Sequence, residues 1–500
     1  MKKTGTVLVA QSDSTPYIIR HRPLLLLALL VLNTSVFAAG NVVIDAPRSW
    51  QSVANDGELP ALGQDATGAK ASSNKSYLIP ALDIVGFDFL LNQLNRRYAE
   101  DSADYKSDLS SIEDNLHSSW TVDDDAFKTN QLGHPYQGSM YHTFARSAGL
   151  NYWESLGYSL AGSTFWEIAG EVTPPSKNDM IATGIGGTFL GESLFRMSNL
   201  VLERPGSLSP FWREVSAAAI SPATGFNRLA YGDRFKNIFD SNDPAYYSRL
   251  QFGLSNTVKS DGSQLDDLKH NDAQVDFSMN YGLPGKPGYS YTRPFDYFSF
   301  KATASSTNVF ENVMTHGLLI GKSYEAGESY RGVWGLYGSY DYISPQTFRV
   351  SSTALSMGTT GQLWLTQNVA LQGTALLGAG YTAVGALNST DDRDYHYGVV
   401  PQGLLALRAI FGNRASFDIS GREYFVSDVD AGNGGHDNIV RIETSFTMRV
   451  FGKHGISIKY LWNQRDATFA DLGDRTQTSG TLGIFYTYLG HDGFGAVDWR

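Results

Sequence analysis

The sequence predicts a mainly β protein with an α-helical N-terminal part: a transmembrane antiparallel β-barrel of about twelve strands, with the helices as a plug in its lumen or a cap at its periplasmic mouth. Three observations carry this expectation. Apolar and polar residues alternate with period two through much of 244–500, and an export signal stands at the N-terminus. The composition, with 51 Gly, 27 Tyr, 27 Phe and 18% charged residues, is rich in turns and aromatics, yet the mean hydropathy is only −0.23. A barrel strand turns only every second residue to lipid, which reconciles the aromatic strands with the modest hydropathy.

The signal is read over 1–39. Lys2, Lys3, Arg20 and Arg22 precede the apolar run "PLLLLALLVL", and the small residues Ala38 and Ala39 follow it at the expected cleavage point. A single membrane anchor is the competing reading, but the run is shorter than the ~20 residues a helical span needs. Nothing later in the sequence is uninterruptedly apolar over such a length. Membrane insertion after export therefore requires strands. The absence of cysteine excludes disulfides, zinc thiolates, a catalytic Cys and a thiol-linked lipid anchor. A formal charge of −11 argues against a nucleic-acid partner, which would need a basic face.

Residues 40–78, rich in Ser, Ala, Asn, Asp and Gly, read as a disordered linker. A helical plug or cap domain is expected over 79–205, a connection over 206–243 and the barrel over 244–500. Within the helical part, 81–100 reads as an amphipathic helix, although Phe87, Phe89 and Leu91 also alternate as a strand would. His134 with Pro135 marks a helix start, since proline at the first helical position loses no hydrogen bond. Gly138, Tyr141 or His142, Ala145, Gly149 and Trp153 then trace a face of mostly small residues, as do Thr183, Gly187 and Gly191 in a later helix. Such faces let backbones approach closely, which must offset the roughly 1 kcal/mol each interior glycine costs. Ser176 with Asp179 resembles a helix cap, and Glu192 with Arg196 an i,i+4 ion pair.

In the barrel part, "NIVRIETSFTMRVF" sets Val440, Ile442, Phe446, Met448 and Val450 against Arg441, Glu443, Ser445, Thr447 and Arg449. "GISIKYLWN", "RLQFGLS" and "YFSFKA" repeat the rule. A soluble sandwich would bury the apolar face in a dry core; a membrane barrel turns it to lipid and keeps the charged face in a wet lumen. The signal peptide and the charged faces favour the membrane barrel. The last strand, "TLGIFYTYLG", also alternates, but Trp499 is followed by Arg500 where many outer-membrane barrels carry a terminal aromatic.

The block W-x2-D-x3-F-x2-N-Q-x2-H-P-x2-G-x2-Y comprises Trp120, Asp123, Phe127, Asn130, Gln131, His134, Pro135, Gly138 and Tyr141. It is followed by Ala145-Arg146, Gly149, "YWES", "GSTFWE", "PSKND" and "GES". This pattern resembles a family of bacterial proteins in which an uncharacterised domain is attached to an outer-membrane barrel, with similarity over about 80 to 460. The resemblance implies location in the outer membrane of a Gram-negative envelope, and it brings no activity with it.

The candidate functional polar cluster is His134, Arg146, Glu154, Glu167, Glu171, Asp179, Glu192 and Arg196. Glu167 and Glu171 beside a histidine could bind a cation or act as base and orienting acid. The plainer reading pairs the plug's charges with lumen residues such as Arg441 and Arg449. "DDD" at 123–125 lacks the alternation of a calcium loop, and "GIGG" lacks a nucleotide-binding context. Ser139, Ser155 and Ser163 lack a G-x-S-x-G elbow. No catalytic residue, metal or cofactor is assigned. The expected partners are outer-membrane lipid, the barrel-assembly machinery and a small-molecule or lipid ligand. The expected function is channel, transport or envelope structure with a helical plug; the alternative is a lipid-modifying hydrolase using His134 and the helix carboxylates.

Overall fold

The computed structural model describes residues 75–99, 101–123, 125–204, 208–260, 268–345, 348–385, 393–427, 435–469 and 473–500. The signal and nearly all of the 40–78 linker lie outside the described residues. The alternating segments form twelve strands: β1 (Tyr246–Ser260), β2 (Leu268–Tyr281), β3 (Phe298–Ser305), β4 (Asn312–Ala326), β5 (Tyr330–Ile343), β6 (Val350–Thr366), β7 (Val369–Gly385), β8 (Tyr395–Phe411), β9 (Ala415–Ser427), β10 (His436–Phe451), β11 (His454–Phe469) and β12 (Gly473–Leu489). Each pairs antiparallel with its sequence neighbours, and β12 pairs β1, so the barrel closes and leaves no open edge. The tight turns at 327–329, 367–368, 412–414 and 452–453 share one end with the start of β1 and the end of β12. We call this the terminal end and the opposite one the loop end.

Contacts between strands that are not neighbours define the inside. Lys301 of β3 donates to Glu443 of β10 at 2.6 Å, Arg249 of β1 reaches Asp418 of β9 at 3.0 Å, and Ser352 of β6 donates to Gln402 of β8 at 2.8 Å. Because side chains alternate across a strand, Phe298, Phe300 and Ala302 of β3 point outward, as do Leu250, Phe252 and Leu254 of β1. The outer face of β9–β12 and β1 is bare and apolar: Leu254 is 72% exposed, Ile484 62% and Ile456 49%.

The lumen is filled by the barrel's own side chains. Lys459 joins Asp276 at 3.1 Å, Arg408 meets Asp418, Arg422 meets Asp341, and Arg465 grips Asp437 at 2.8 Å. At the terminal end the residues after β12 fold back inside. Gln362 Nε2 donates to the Val497 carbonyl at 2.7 Å and Gln372 Nε2 to that of Gly495 at 2.7 Å, while Phe494 packs with Tyr247, Leu283 and Ile410. Tyr297, from the connection before β3, enters beside Tyr337 and Leu404. Among the described residues, internal cavities of about 170, 30 and 10 Å³ lie between these side chains.

The helices are α1 (Leu78–Tyr98), α2 (Leu109–His117), α3 (His134–Ser147), α4 (Tyr152–Ala169), α5 (Gly187–Glu203), α6 (Pro210–Ile220) and α7 (Pro222–Ala230). Two π-helical segments, Thr129–Gly133 and Met180–Gly186, lead into α3 and α5. The segment 206–243, expected as a plain connection, contains α6 and α7. The sequence signals at the helix ends hold: Pro135 sits in the first turn of α3, and Ser176 Oγ accepts from the Asp179 amide at 3.2 Å.

These helices do not plug the lumen; they stand against the outer wall of the barrel. Phe189 of α5 meets Gly338, Gly186 meets Tyr340 and Thr353, and Ser193 bonds Thr315 at 2.7 Å, all at outward-facing positions. Gln131 and Asn178 both donate to the Tyr397 hydroxyl at 2.8 Å, and Asn130 to that of Tyr395 at 2.9 Å. Phe298 and Phe300 are therefore 0% and 7% exposed, although they share the outward face of the bare strands. The lumen is already occupied, and the row of outward tyrosine hydroxyls supplies the hydrogen-bond partners that a lipid-facing wall lacks. If hydrocarbon is the alternative neighbour, burial of apolar area contributes little to this docking, and packing and polar contacts hold it.

Candidate functional site

The eight expected polar residues fall into two buried clusters and one surface pair. The first cluster lies between α3 and α5. Arg146 Nε donates to Glu192 Oε2 at 2.8 Å, Arg196 Nε to Glu192 Oε1 at 2.8 Å, and His142 Nε2 lies 3.0 Å from Glu192 Oε2. Arg196 continues to Asp296 at 3.0 Å and to the Pro294 carbonyl at 2.6 Å, which ties the helices to the connection before β3. Burial alone would raise the Glu192 carboxyl, but Arg146, His142 and Arg196 hold it well below the usual carboxylate range. Its lone pairs are committed to these partners, so this cluster binds structure to structure.

The second cluster gathers Glu167, Glu171, Asp179, Asp123, Asp125 and His134 where α4 ends and the first π-helical segment begins. Glu167 accepts the Ser176 amide at 2.8 Å, and Glu171 accepts the Trp166 indole N–H at 2.7 Å. Burial raises the carboxyls of Glu171 and Asp125, to about 7 and about 6, and like charges nearby add to the rise. Burial and neighbouring carboxylates also lift Glu167 and Asp179. His134 is buried, and its Nδ1 has no hydrogen-bond partner. No group of three ligands with metal-binding geometry occurs among the described residues. Glu154 belongs to neither cluster: it closes the N-terminal cap of α4 with Asn151 and pairs with Lys75 at 2.7 Å.

The expected pairing of helix charges with Arg441 and Arg449 does not occur. Arg441 bonds Asn463 at 3.1 Å within the barrel and Arg449 bonds the Asp492 carbonyl, because both lie on the far side of the wall from the helices. The serines near His134 do not form a nucleophile pair with it. Ser139 donates to the Tyr136 carbonyl at 2.6 Å, and no hydrogen bond joins His134 to a serine among the described residues.

A feature not apparent in the sequence dominates the site. Between the helices and the barrel's outer wall runs a groove of about 1840 Å³. Its sides are apolar, with Leu190, Leu194 and Met197 of α5 facing Met279, Phe300 and Val313 of the wall. Its lining extends from Tyr246 and Gly490 at the terminal end to Phe310 and Arg393 at the loop end, where His134, Glu171 and Asp125 also contribute. The volume exceeds the ~300–1,000 Å³ usual for small-molecule pockets.

The chain is thus a closed twelve-stranded barrel carrying a laterally docked helical domain. Residues 119–223, which hold both polar clusters, match the family model described as Domain of unknown function (DUF3943). Similar solved structures include the loop L8 deletion mutant of OmpT, an outer membrane protein of Vibrio cholerae, at 8% identity and a TM-score of 0.20, covering 49% of this chain and 99% of that one. The outer membrane channel DcaP of Acinetobacter baumannii shows 7% identity over 49% of this chain and 96% of its own, at a TM-score of 0.22. The KdgM porin shows 7% identity over 47% and 98%, at 0.20. Likeness at this level says nothing of activity. No curated protein matches the chain.

Proposed function

We propose that this chain is an integral outer-membrane barrel that holds an amphipathic lipid in the groove beside its wall, rather than a channel that conducts through its lumen. The groove itself carries the reading: it is long, apolar along its sides, polar at both ends and open on the face of the barrel that hydrocarbon would otherwise cover. The bare apolar band on β9–β12 and β1 supports a membrane setting, as does the export signal. Leu82, Val85, Phe89 and Leu90 of α1 are exposed as well, so the helical domain carries an apolar surface of its own. No described helix is long and apolar enough to cross a membrane.

Passage through the barrel has less support, since ion pairs cross the lumen and the residues after β12 close its terminal end. Hydrolysis at His134 lacks a serine partner. The test is lipid retention. The full chain, extracted in detergent and purified, is expected to carry lipid detectable by mass spectrometry. Ala302→Trp, on the wall of the groove and away from the helix core, is expected to strip most of it while the barrel keeps its heat-modifiable migration. A wild-type protein free of lipid, or a variant that retains it in full, would count against the groove as a lipid site.

A further inference from the structure

Resting on the reading of the groove as a lipid site, we infer that its occupant bears a phosphate, seated at Arg204 and Arg213 at the terminal end, with its acyl chains running along Met279 and Phe300 toward Leu132. The two ends of the groove differ in charge. At the loop end Lys128 and Arg393 lie among Asp101, Asp125 and Glu171, and Arg393 is paired with Asp101, so a phosphate there would compete with carboxylates. Arg204 and Arg213 line the terminal end beside Tyr246, Ser248 and Tyr488.

The nearby acids neutralise these cations only in part. Glu214, adjacent to Arg213 in sequence, turns to Arg228 at 2.6 Å, and the Nε of Arg213 is buried with no hydrogen-bond partner. Arg204 bonds Asp243 at 2.8 Å and the Pro244 carbonyl at 3.2 Å, both through Nη2. Asp243 also holds Lys286 at 2.5 Å, so one carboxylate serves two cations. A buried guanidinium N–H without an acceptor is costly, and the planar fork of arginine suits phosphate oxygens. Apolar walls leading away from such a pair fit the chains that a phospholipid carries behind its phosphate. In this pose the ester carbonyls lie next to the phosphate, at the end of the groove opposite His134.

The experiment uses the full chain in detergent, titrated with dioleoylphosphatidylglycerol and, separately, with dioleoylglycerol, which has the same chains and no phosphate. Native mass spectrometry reads the bound lipid. The phosphate-bearing lipid is expected to bind about tenfold more tightly. Arg204→Gln with Arg213→Gln is expected to bring it down to the dioleoylglycerol level, leaving dioleoylglycerol itself unchanged, and Arg213→Lys is expected to retain part of the difference. Equal binding of the two lipids to the wild type, or an equal loss of both in the double variant, overturns the headgroup assignment while the groove survives. Binding of neither lipid overturns the groove reading and this inference with it. Displacement of the lipid by millimolar inorganic phosphate would make the site one for free phosphate and refute the lipid assignment.

Discussion

At the scale of single residues, two buried sets of carboxylates behave oppositely because their neighbours differ. Glu192 is surrounded by Arg146, Arg196 and His142, and its charge is stabilised. Removing one partner of such a buried pair typically costs about 3–5 kcal/mol, since the other charge is stranded. Glu171 and Asp125 sit among other carboxylates, with folded values of about 7 and about 6 against ordinary values of 4.5 and 3.8. Folding therefore takes up protons at this cluster. Its stability is greatest below about pH 4 and falls as pH rises through the window from about 4 to 7, by on the order of 3 kcal/mol for Glu171 alone. Glu192 adds little slope above about pH 6, where its carboxyl is ionised in both the folded and the unfolded state. Thermal unfolding followed through Trp153 and Trp166 is expected to shift to lower temperature between pH 5 and pH 8, and Glu171→Gln to flatten that slope. A helical domain that gains stability over this range would contradict the assignment.

At the scale of elements, the small-residue faces hold helix on helix. A Cβ on Gly138 of α3 would overlap the Thr183 carbonyl, and Gly187 and Gly191 press on the backbone at Gly138 and Ser139. The glycine cost is offset by this close approach, which brings His142 and Arg146 within reach of Glu192. Gly138→Val is expected to separate the two helices by the width of a side chain and to break the Glu192 network. Limited proteolysis is the check: the variant should be cut within 134–203 at protease levels that leave the wild type intact, while β1–β12 stay protected. The π-helical segments matter at the same scale. Thr129–Gly133 turns Asn130 and Gln131 toward Tyr395 and Tyr397, and it ends at His134 on the groove.

At the scale of the whole molecule, the barrel is a filled post with a domain leaning on it. Lys301, Lys459, Asp276 and Glu443 bridge the lumen from β2, β3, β10 and β11, and the Gln362–Val497 and Gln372–Gly495 bonds shut one mouth. In planar bilayers the full chain is expected to show no steady open conductance. Stable current steps of porin size would mean that the terminal residues or the lumenal ion pairs give way in the membrane.

Much of this architecture was legible in the sequence, because strand alternation is a local signal. The faces read from Val440 to Val450 and from Ile456 to Trp462 are the outward faces of β10 and β11, and the Glu192–Arg196 pair and the Ser176 cap were visible as spacings. What alternation cannot tell is which neighbour covers an outward residue. Phe252 and Phe300 obey the same rule, yet the first is bare and the second lies under α5 and the groove. The helices were therefore expected in the lumen or at its periplasmic mouth, and the groove was not foreseen, since its two walls come from segments about a hundred residues apart. Local periodicity determines the face a side chain takes, and only the packing of distant segments decides what that face meets.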